Sequence, residues 1–440
     1  MNLSFKQGIH PKYRKEISQN KKITKIRPPE KVYIPLQQHI GAPCKPLVEV
    51  GDEVVRGEKI AESDSFVSAP VHASISGKVE AIKEIMTPSR EMSPAIIIKT
   101  GAVDKKRKEN TEKSLERLSS DEIRSIVQEA GITGMGGASF PTHVKISIPE
   151  DKNIDYFILN GAECEPYLTI DNRIMIEKFE EVLHGMKVLM KGAGVKNGII
   201  AIEDNKPEAI SVMRKAVKDE ENIEVKIFET KYPQGGEKLL IKAALDREVP
   251  VGGLPLDVGV VVNNVTTAFA TARALKEGLP LIERPVTVTG PGIENPMNLI
   301  VPIGTPIEKL IEAAGGFSGK PGKVIAGGPM MGIAQSELKV PVIKGTSGIL
   351  VIPEEQVKDY TPSPCINCAR CVDSCPMRLV PTRLVKLVEN EMYEETEQYQ
   401  INNCIECGSC SYVCPSNIPL VHHIRIGKSE LNARKRDNNG

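Results

Sequence analysis

Eight of the ten cysteines fall into two runs that share one spacing, C-x2-C-x2-C-x3-C-P. They are Cys365, Cys368, Cys371 and Cys375 in the first run, and Cys404, Cys407, Cys410 and Cys414 in the second. This spacing is typical of segments that bind [4Fe–4S] clusters through cysteine thiolates. Zinc sites instead pair C-x2-C units across a longer spacer, and disulfide frameworks belong to small secreted domains. The two runs therefore predict two clusters, which carry electrons one at a time.

The two runs resemble the cluster-binding segments of two-cluster bacterial ferredoxins. In those proteins the fourth cysteine of each run ligates the other cluster. The resemblance implies that one cluster is held by Cys365, Cys368, Cys371 and Cys414. It implies that the second is held by Cys404, Cys407, Cys410 and Cys375. We therefore expect an α-helical double [4Fe–4S] ferredoxin domain at residues 341–430 and a tail at residues 431–440, of which residues 434–440 are predicted to be disordered.

A glycine-rich stretch far upstream could hold an anion. Gly134, Gly136 and Gly137 let the backbone approach a ligand closely and point N–H groups at it. Lys145 adds a positive charge that suits a phosphate. The spacing is not the G-x-G-x-x-G of a Rossmann βα unit, so a purely structural turn stays open at this point.

The elements around this stretch predict an α/β layer. Ser119 and Glu122 form a capping box that begins a helix, and a buried strand is predicted at residues 155–160. Helices at 180–190 and 206–218 alternate with strands at 198–202 and 223–228, which favours an open α/β sheet. Ligands bind such sheets at the carboxyl ends of the strands. The polar residues that follow the predicted strands and turns are Asn160, Glu163, Glu165, Gly235, Glu237, Asn263, Asn264 and Thr267.

Residues 1–100 read as β-structure with several tight turns. Residues 48–62 resemble the hairpins of biotinyl and lipoyl carrier domains, but Ser65 stands where the modified lysine would be. We therefore predict a structural barrel-sandwich module, in which Cys44 is a buried thiol. His39 and His72 are predicted to be loop or core residues. Residues 101–118 form a charged linker.

The glycine-rich stretch and the three polar stretches after it occur in the order found in the flavin-binding fold of the 51-kDa NADH-oxidising subunit of respiratory complex I. Residues 119–280 are thus predicted to form an FMN- and NAD-binding α/β domain. Residues 281–340 resemble the small soluble-ligand-binding β-grasp module that follows it in the same family. Met330 and Met331 in that module are expected to pack in its core. The positions that depart from the family's motifs are Ser139, His143, Ala162, Gly236 and Thr266.

The resemblance implies a role for each residue that matches these motifs. The FMN phosphate would be held by Gly134, Gly136, Gly137 and Lys145. The flavin ring and ribityl chain would be lined by Asn160, Glu163, Asn263, Asn264 and Thr267. The nucleotide would be bordered by Phe140, Glu163 and Glu165, with the two glutamates near the nicotinamide. Gly235 and Glu237 belong to the same cofactor-binding set.

Composition limits the classes of partner and the cellular compartment that we expect. Lysine plus arginine and aspartate plus glutamate balance at 57 each, so bulk charge favours no nucleic-acid partner. The first residues lack the apolar core of a signal peptide, and no stretch reaches 18 apolar residues. Thiolate-held clusters suit a reducing compartment. We therefore expect a cytoplasmic protein that meets a membrane only peripherally.

The whole chain, module by module, is similar to the RnfC family, which belongs to the Rnf electron-transport complexes. That resemblance implies a multidomain α/β oxidoreductase subunit that passes electrons between two [4Fe–4S] clusters and NAD via FMN. It implies a place on the cytoplasmic face of the bacterial cell membrane. The partners would be membrane subunits of an ion-transporting translocase and an iron–sulfur subunit that receives electrons from ferredoxin. Two alternatives remain: a flavin and iron–sulfur cobalamin reductase of bacterial microcompartments, and an electron-wiring subunit without flavin.

Overall fold

The structure, a computed structural model, describes residues 3–103, 114–357 and 361–439. Most of the predicted charged linker, residues 104–113, lies outside these ranges. In chain order the strands are β1 (Ile23–Lys25), β2 (Lys31–Pro35), β3 (Lys45–Pro46), β4 (Glu53–Val54), β5 (Lys59–Glu62), β6 (Val71–His72), β7 (Gly77–Met86), β8 (Met92–Thr100), β9 (Tyr156–Gly161), β10 (Asn197–Glu203), β11 (Ile223–Phe228), β12 (Val260–Asn264), β13 (Glu283–Thr289), β14 (Met297–Pro302), β15 (Pro321–Ala326), β16 (Ile333–Gln335) and β17 (Gly348–Pro353). The α-helices are α1 (Ser120–Glu129), α2 (Thr142–Ile146), α3 (Ile170–Glu177), α4 (Phe179–Ala193), α5 (Pro207–Ala216), α6 (Glu237–Leu245), α7 (Val265–Lys276), α8 (Ile307–Ala313), α9 (Arg370–Asp373), α10 (Pro381–Glu389), α11 (Ser409–Tyr412) and α12 (Leu420–Asn439).

Two small sheets form the barrel-sandwich module. One has the order β2-β8-β7-β4 and the other the order β3-β5-β6. Alternating aliphatic side chains from both sheets, such as Ile34, Ile60 and Ile98, meet in one core. Cys44 packs in this core and is 4% exposed, which confirms the prediction of a buried thiol.

A four-stranded parallel sheet organises the next module, in the order β11-β10-β9-β12. The chain moves outward from β9 to β10 and β11, then returns to place β12 on the other side of β9. The sheet therefore has a topological switch point between β9 and β12, where open α/β sheets bind ligands. Asn160 at the end of β9 lies in register with Asn264 at the end of β12.

The sequence predicts most elements of this module within a few residues. The capping box of α1 is present, because Ser119 Oγ accepts from the Glu122 N–H and the Glu122 carboxylate accepts from the Ser119 N–H. The predicted strands at 155–160, 198–202 and 223–228 are confirmed as β9, β10 and β11. The predicted helices at 180–190 and 206–218 are confirmed as α4 and α5.

The β-grasp sheet is larger than residues 281–340. Its six strands have the order β1-β14-β13-β17-β15-β16, with α8 packed against them. Strand β17 follows residue 340, and strand β1 comes from the first 25 residues, which the sequence assigns to the barrel-sandwich module. Strands β1 and β17 belong to this sheet because they pair with segments that are distant in the chain. Local sequence patterns do not predict such pairing. The other boundaries between the six predicted segments of the chain stay predictions.

Residues 3–25, here called the N-terminal strap, cross three modules. Leu3 pairs with Phe228 at the edge of the parallel sheet, and Ile9 pairs with Tyr232. The Gly8 N–H donates to the carbonyl oxygen of residue 374 at 3.3 Å, beside the first cysteine run. The strap ends as strand β1 in the β-grasp sheet. It therefore ties the parallel sheet, the cysteine-rich region and the β-grasp sheet together.

The cysteine-rich region is built from short helices, α9 to α12. Helices α10 and α12 pack on each other around Leu384, Val388 and Ile424. Helix α12 continues to Asn439, so the prediction that residues 434–440 are disordered is wrong for residues 434–439. No helix in the described ranges is long and apolar enough to cross a bilayer.

Candidate functional site

The two cysteine runs adopt the same backbone conformation. Asn367 and Glu406, two positions after the first cysteine of each run, both have a left-handed φ of 55°. Ala369 and Gly408, two positions further on, are also left-handed, with φ values of 60° and 77°. In each run the N–H of the first of these residues lies 3.4 Å from Sγ of the first cysteine. Each run therefore forms a turn that directs backbone N–H groups toward its own sulfur atoms.

A cavity in this region groups four cysteines from both runs. Cys375 of the first run lines it together with Cys404, Cys407 and Cys410 of the second. These are the four residues that the crossed assignment places on one cluster. The grouping supports the crossed assignment, which stays a prediction. The remaining lining is mostly apolar: Pro376, Met377, Leu379, Pro381, Ile405, Gly408, Ser409, Val421 and Ile424.

Four cysteine thiols around one cavity are the donor set that a [4Fe–4S] cluster requires. Burial raises the pKa of Cys404 to about 11 and that of Cys410 to about 12. Such thiols ionise at neutral pH only beside a cation, and coordination to a metal deprotonates a thiol outright. The Leu379 N–H lies 3.4 Å from Cys375 Sγ, so the backbone adds a donor that stabilises a thiolate there.

The other four cysteines lie nearer the surface. Cys371 is buried, Cys365 and Cys414 are half-buried, and Cys368 is exposed. Ile366, between the first two cysteines of its run, is 67% exposed. A cluster held by these residues would therefore lie close to solvent, where a partner protein can approach it.

The second cysteine run contacts the parallel-sheet module directly. Tyr232 Oη donates to the Cys407 carbonyl oxygen at 2.8 Å, and both residues are buried. Ile9, Tyr232 and Cys407 form a small apolar cluster against which Cys164 and Met330 pack. The cavity lined by Cys407 is therefore the one next to the parallel sheet.

At the switch point of that sheet, the glycine-rich loop (residues 131–141) meets helix α7. The Gly134 N–H donates to the Phe140 carbonyl oxygen at 2.8 Å, which closes the loop. The Met135 N–H donates to Thr267 Oγ1 at 2.9 Å, which fixes the loop on the helix.

Two glycines of the loop differ in their surroundings. A Cβ at Gly136 would lie 3.2 Å from Asn264 Cβ, so glycine permits this close approach. Gly137, at φ 140°, is exposed, and no described residue lies within 4 Å of the place that a Cβ would take. The loop therefore leaves room for a ligand beside its backbone.

The acidic turn (residues 162–168) follows β9 at the same edge. Asn160 supports it, because its side chain accepts from the Ala162 N–H at 3.1 Å and donates to the Gly235 carbonyl oxygen at 2.9 Å. One asparagine thus links the acidic turn with the glycine turn (residues 232–237).

A second set of hydrogen bonds joins the ends of β9 and β12. The Glu163 carboxylate accepts from the Asp171 N–H at 2.7 Å, at the start of helix α3. The Asp171 carboxylate in turn accepts from Asn264 Nδ2 at 2.7 Å. The acidic turn and the start of α7 are therefore fixed relative to each other.

The two glutamates of the acidic turn are held differently. Glu163 is bound to helix α3, whereas the Glu165 carboxylate accepts from the Met330 and Met331 N–H groups at 3.1 and 2.8 Å. Burial raises the pKa of each carboxyl to about 7. Met331 is 45% exposed, so the prediction that it packs in the core is wrong. The two methionines contribute to the site through their backbone.

Lys145 and Glu237 form an ion pair with each other. Lys145 therefore brings to the site a positive charge that Glu237 neutralises. Glu237, at the end of the glycine turn, also orients the Lys145 side chain. A Cβ on Gly235 would lie 3.3 Å from Cys164 Sγ, so the glycine turn approaches the acidic turn closely. The remaining predicted residues, Asn263, Asn264 and Thr267, lie at the carboxyl end of β12 and the start of α7.

Unsatisfied polar groups at this edge fit a bound cofactor. Among the described residues, Asn263 Nδ2 is buried without a hydrogen-bond partner, and so are both side-chain polar atoms of Gln234. Buried polar atoms are nearly always paired in a native protein, so a ligand is a natural partner for these. These donors and acceptors suit the polar groups of a flavin mononucleotide.

Two departures from the flavin-family motifs have a structural cause. His143 Nε2 lies 3.0 Å from the Phe66 carbonyl oxygen, and the two rings meet edge to face with centroids 5.6 Å apart. Phe66 belongs to the barrel-sandwich turn that carries Ser65. Ser139 Oγ lies so close to Gly345 that a Cβ on Gly345 would clash with it. Both substitutions therefore serve contacts between modules.

Sequence reasoning missed several residues of the site. Lys15 and Lys206 are buried lysines that donate to carbonyl oxygens of the acidic turn, and Asp171 connects Glu163 with Asn264. Lysine and aspartate at these positions match no motif, and only their contacts reveal them. A charged residue a few positions after the acidic motif, as at Asp171, is the one signal that the sequence offers.

The fold and the site define a class of protein, a flavin- and iron–sulfur-dependent oxidoreductase subunit. Residues 127–273 match the family described as the Nuo51 FMN-binding domain, and residues 364–418 match the 4Fe-4S dicluster domain. Residues 3–103 match the RnfC barrel sandwich hybrid domain, and residues 285–334 match the SLBB domain.

Whole-chain relatives carry the identification further. The chain is 47% identical over 437 residues to the C component of the Na(+)-translocating ferredoxin:NAD(+) oxidoreductase complex of Acetobacterium woodii, covering 99% of each. It is 48% identical to the proton-translocating counterpart of Clostridium ljungdahlii, covering 90% of this chain and 86% of that one. It is 40% identical to the C component of the ion-translocating oxidoreductase complex of Rhodobacter capsulatus, covering 99% and 84%. The chain belongs to this RnfC family.

A solved structure shares the fold. An NAD+-reducing [NiFe]-hydrogenase in the air-oxidized state matches with a TM-score of 0.50 at 18% identity. The match covers 71% of this chain and 61% of that chain, so this protein spans less than two thirds of the hydrogenase chain. At this identity the likeness concerns the fold.

Proposed function

We propose that this chain is the NAD-reactive subunit of an ion-translocating ferredoxin:NAD+ oxidoreductase complex. One observation carries the proposal. In the glycine turn, the Gly235 carbonyl oxygen accepts from Asn160 at the strand end where we place the flavin, and Tyr232 donates to the Cys407 carbonyl oxygen at 2.8 Å. A two-electron site and a one-electron site therefore share a single short segment of chain.

We assign different roles to the residues of the candidate flavin site. When bound, FMN exchanges two electrons with NAD and single electrons with the clusters. We place the phosphate end at the glycine-rich loop, which the Met135 N–H bond to Thr267 Oγ1 fixes on α7, and assign Lys145, paired with Glu237, as the cation of that end. Glu163 and Glu165 border the side on which the nicotinamide would lie, held by backbone N–H groups of α3 and of the β-grasp module.

The structure also supports an order for the two clusters. The cavity of Cys375, Cys404, Cys407 and Cys410 adjoins the flavin module, whereas Cys368 is exposed. We expect electrons to pass between flavin and this nearer cluster, and between the nearer and the surface cluster. The surface cluster would then exchange electrons with the partner.

The partners and the location are part of the proposal. The relatives are named as components of ion-translocating complexes, which supports assembly with membrane subunits that transport the ion. We propose that the chain sits on the cytoplasmic face of the cell membrane. An iron–sulfur subunit that receives electrons from ferredoxin would dock beside Cys368 and Ile366.

Neither alternative from the sequence gains support. The unpartnered polar atoms of Gln234 and Asn263, in the part of the chain that the structure describes, count against an electron-wiring subunit without flavin. The whole-chain relatives are named as ferredoxin:NAD(+) or ion-translocating oxidoreductases, which counts against the cobalamin reductase.

The function is tested by NADH-dependent reduction of ferricyanide, a one-electron acceptor, under anaerobic conditions. The full chain loaded with FMN and iron should catalyse the reaction. A matched sample from which FMN has been removed should not, and adding FMN back should restore it. Catalysis that is independent of FMN, or none in the loaded chain, would refute the assignment.

A further inference from the structure

The N-terminal strap carries a buried lysine that none of the sequence motifs includes. Lys15 Nζ donates to the carbonyl oxygens of Glu163 at 2.8 Å, Glu165 at 3.0 Å and Leu168 at 2.6 Å. Lys15 is 6% exposed. An ammonium group has three N–H donors, so one side chain commits all of its donors to the acidic turn.

The conformation of that turn requires such a partner. Glu163 and Tyr167 have left-handed φ values of 48° and 68°, which non-glycine residues rarely adopt. Three carbonyl dipoles also converge on one point, where they repel each other unless a cation lies between them. A strained backbone persists only where its surroundings hold it. Lys15 acts here as an internal cation.

The turn that Lys15 organises carries both glutamates of the candidate site. The Glu163 side chain turns toward helix α3 and the Glu165 side chain toward the N–H groups of residues 330 and 331. A shift of the turn would therefore move both carboxylates together. Lys206 supports only the first residue of the turn, donating to the Ala162 carbonyl oxygen at 2.5 Å.

We propose that Lys15 is a positioning residue for the NAD side of the flavin site. It fixes the acidic turn, and through it Glu163 and Glu165, without touching the reacting groups. The proposal rests on the proposed function. Because Lys15 lies on the N-terminal strap, the strap helps to fix the geometry of the site.

The test is the rate at which NADH bleaches the flavin absorbance in the full, cofactor-loaded chain, followed by stopped flow. Lys15→Ala should retain FMN but lose about tenfold or more in limiting rate, since a misplacement of about 1 Å can cost about a hundredfold. Lys12→Ala is the matched control, because Lys12 is an exposed lysine of the same strap. It should react like the wild type.

Chemical rescue separates positioning from general damage. Propylammonium replaces the atoms that Lys15→Ala removes and should restore most of the rate, whereas tetramethylammonium, which has no N–H donor, should not. Lys15→Arg should stay slow, because a planar guanidinium cannot converge on three carbonyl oxygens. Ser18→Ala removes the 2.8 Å hydrogen bond to Thr169 Oγ1 and a 3.5 Å contact with the Tyr167 carbonyl oxygen, a much weaker hold on the acidic turn than three ammonium hydrogen bonds, and should slow bleaching far less.

Three outcomes would overturn the proposal: an unchanged rate in Lys15→Ala, an equal loss in Ser18→Ala, or a loss that propylammonium does not restore. If Lys15→Ala fails to fold, Lys15→Met keeps the buried aliphatic stem and should show the same loss with FMN retained. An unchanged rate in Lys15→Met would then count against the role. A wild-type chain that NADH does not bleach would refute the proposed function instead.

Discussion

Glu165 should make the stability of this protein depend on pH. Burial raises the pKa of its carboxyl from 4.5 to about 7. In the unfolded chain the group loses its proton near pH 4.5, while the folded chain keeps it until about pH 7. The stability that Glu165 contributes is therefore full below pH 4.5 and falls as the pH rises toward 7. At about 1.4 kcal/mol per pH unit, the loss reaches about 3 kcal/mol.

The variant Glu165→Gln isolates this contribution. The amide does not titrate. Its NH2 group would point a donor at the N–H donor of Met330 or Met331, and this mismatch costs about 1–3 kcal/mol of stability at every pH. Between about pH 5.5 and pH 8 the wild type should lose about 2 kcal/mol through Glu165. Because the same free energy shifts the melting temperature less in a longer chain, a 440-residue protein that unfolds as a unit should melt about 2 °C lower.

The assay is thermal unfolding of the loaded chain, followed by circular dichroism from about pH 5.5 to pH 8. Glu165→Gln should melt below the wild type at the acidic end, and the gap should close as the pH rises. Glu150→Gln, at an exposed position, should reproduce the wild-type profile. Because Glu163 is present in all three proteins, its own titration cancels in the comparison. A Glu165→Gln profile as steep as that of the wild type would refute the reasoning.

Further predictions concern the clusters and the flavin. Cys375→Ser should disable the cluster next to the flavin, so that NADH still bleaches the flavin but neither cluster gives a reduced EPR signal. Cys414→Ser should leave one reducible cluster; the reverse pattern, with one reducible cluster in Cys375→Ser and none in Cys414→Ser, would contradict the crossed assignment. Tyr232→Phe leaves the buried Cys407 carbonyl oxygen without this donor and should cost about 1–3 kcal/mol, measured as faster loss of iron to a chelator. Asn263→Ala should weaken FMN binding about fivefold, measured by flavin fluorescence, because a single hydrogen bond of about 1 kcal/mol is lost.

Local chemistry was predictable from the sequence. The capping box of α1 and the repeated cysteine runs depend on residues close in the chain, and such patterns fix local structure. The strand ends at Asn160 and Asn264 were also identifiable, because buried strands followed by polar residues are distinctive. Their register across the sheet, Asn160 opposite Asn264, appears only in the structure.

Contacts between distant segments were not predictable. Strand β1 joins a sheet whose other strands begin more than two hundred residues later, and Lys15 reaches a turn 148 residues away. Met330 and Met331 act through N–H groups, which every residue except proline has. Where a backbone group makes the contact, the residue type does not predict that contact.

The most direct test of the central claim is an anaerobic titration of the full, cofactor-loaded chain with NADH. Flavin absorbance and low-temperature EPR of the clusters are followed together. We predict that NADH bleaches the flavin and that reduced-cluster signals follow only in chains that contain FMN. If NADH reduced neither the flavin nor the clusters, the chain would not be the NAD-reactive subunit.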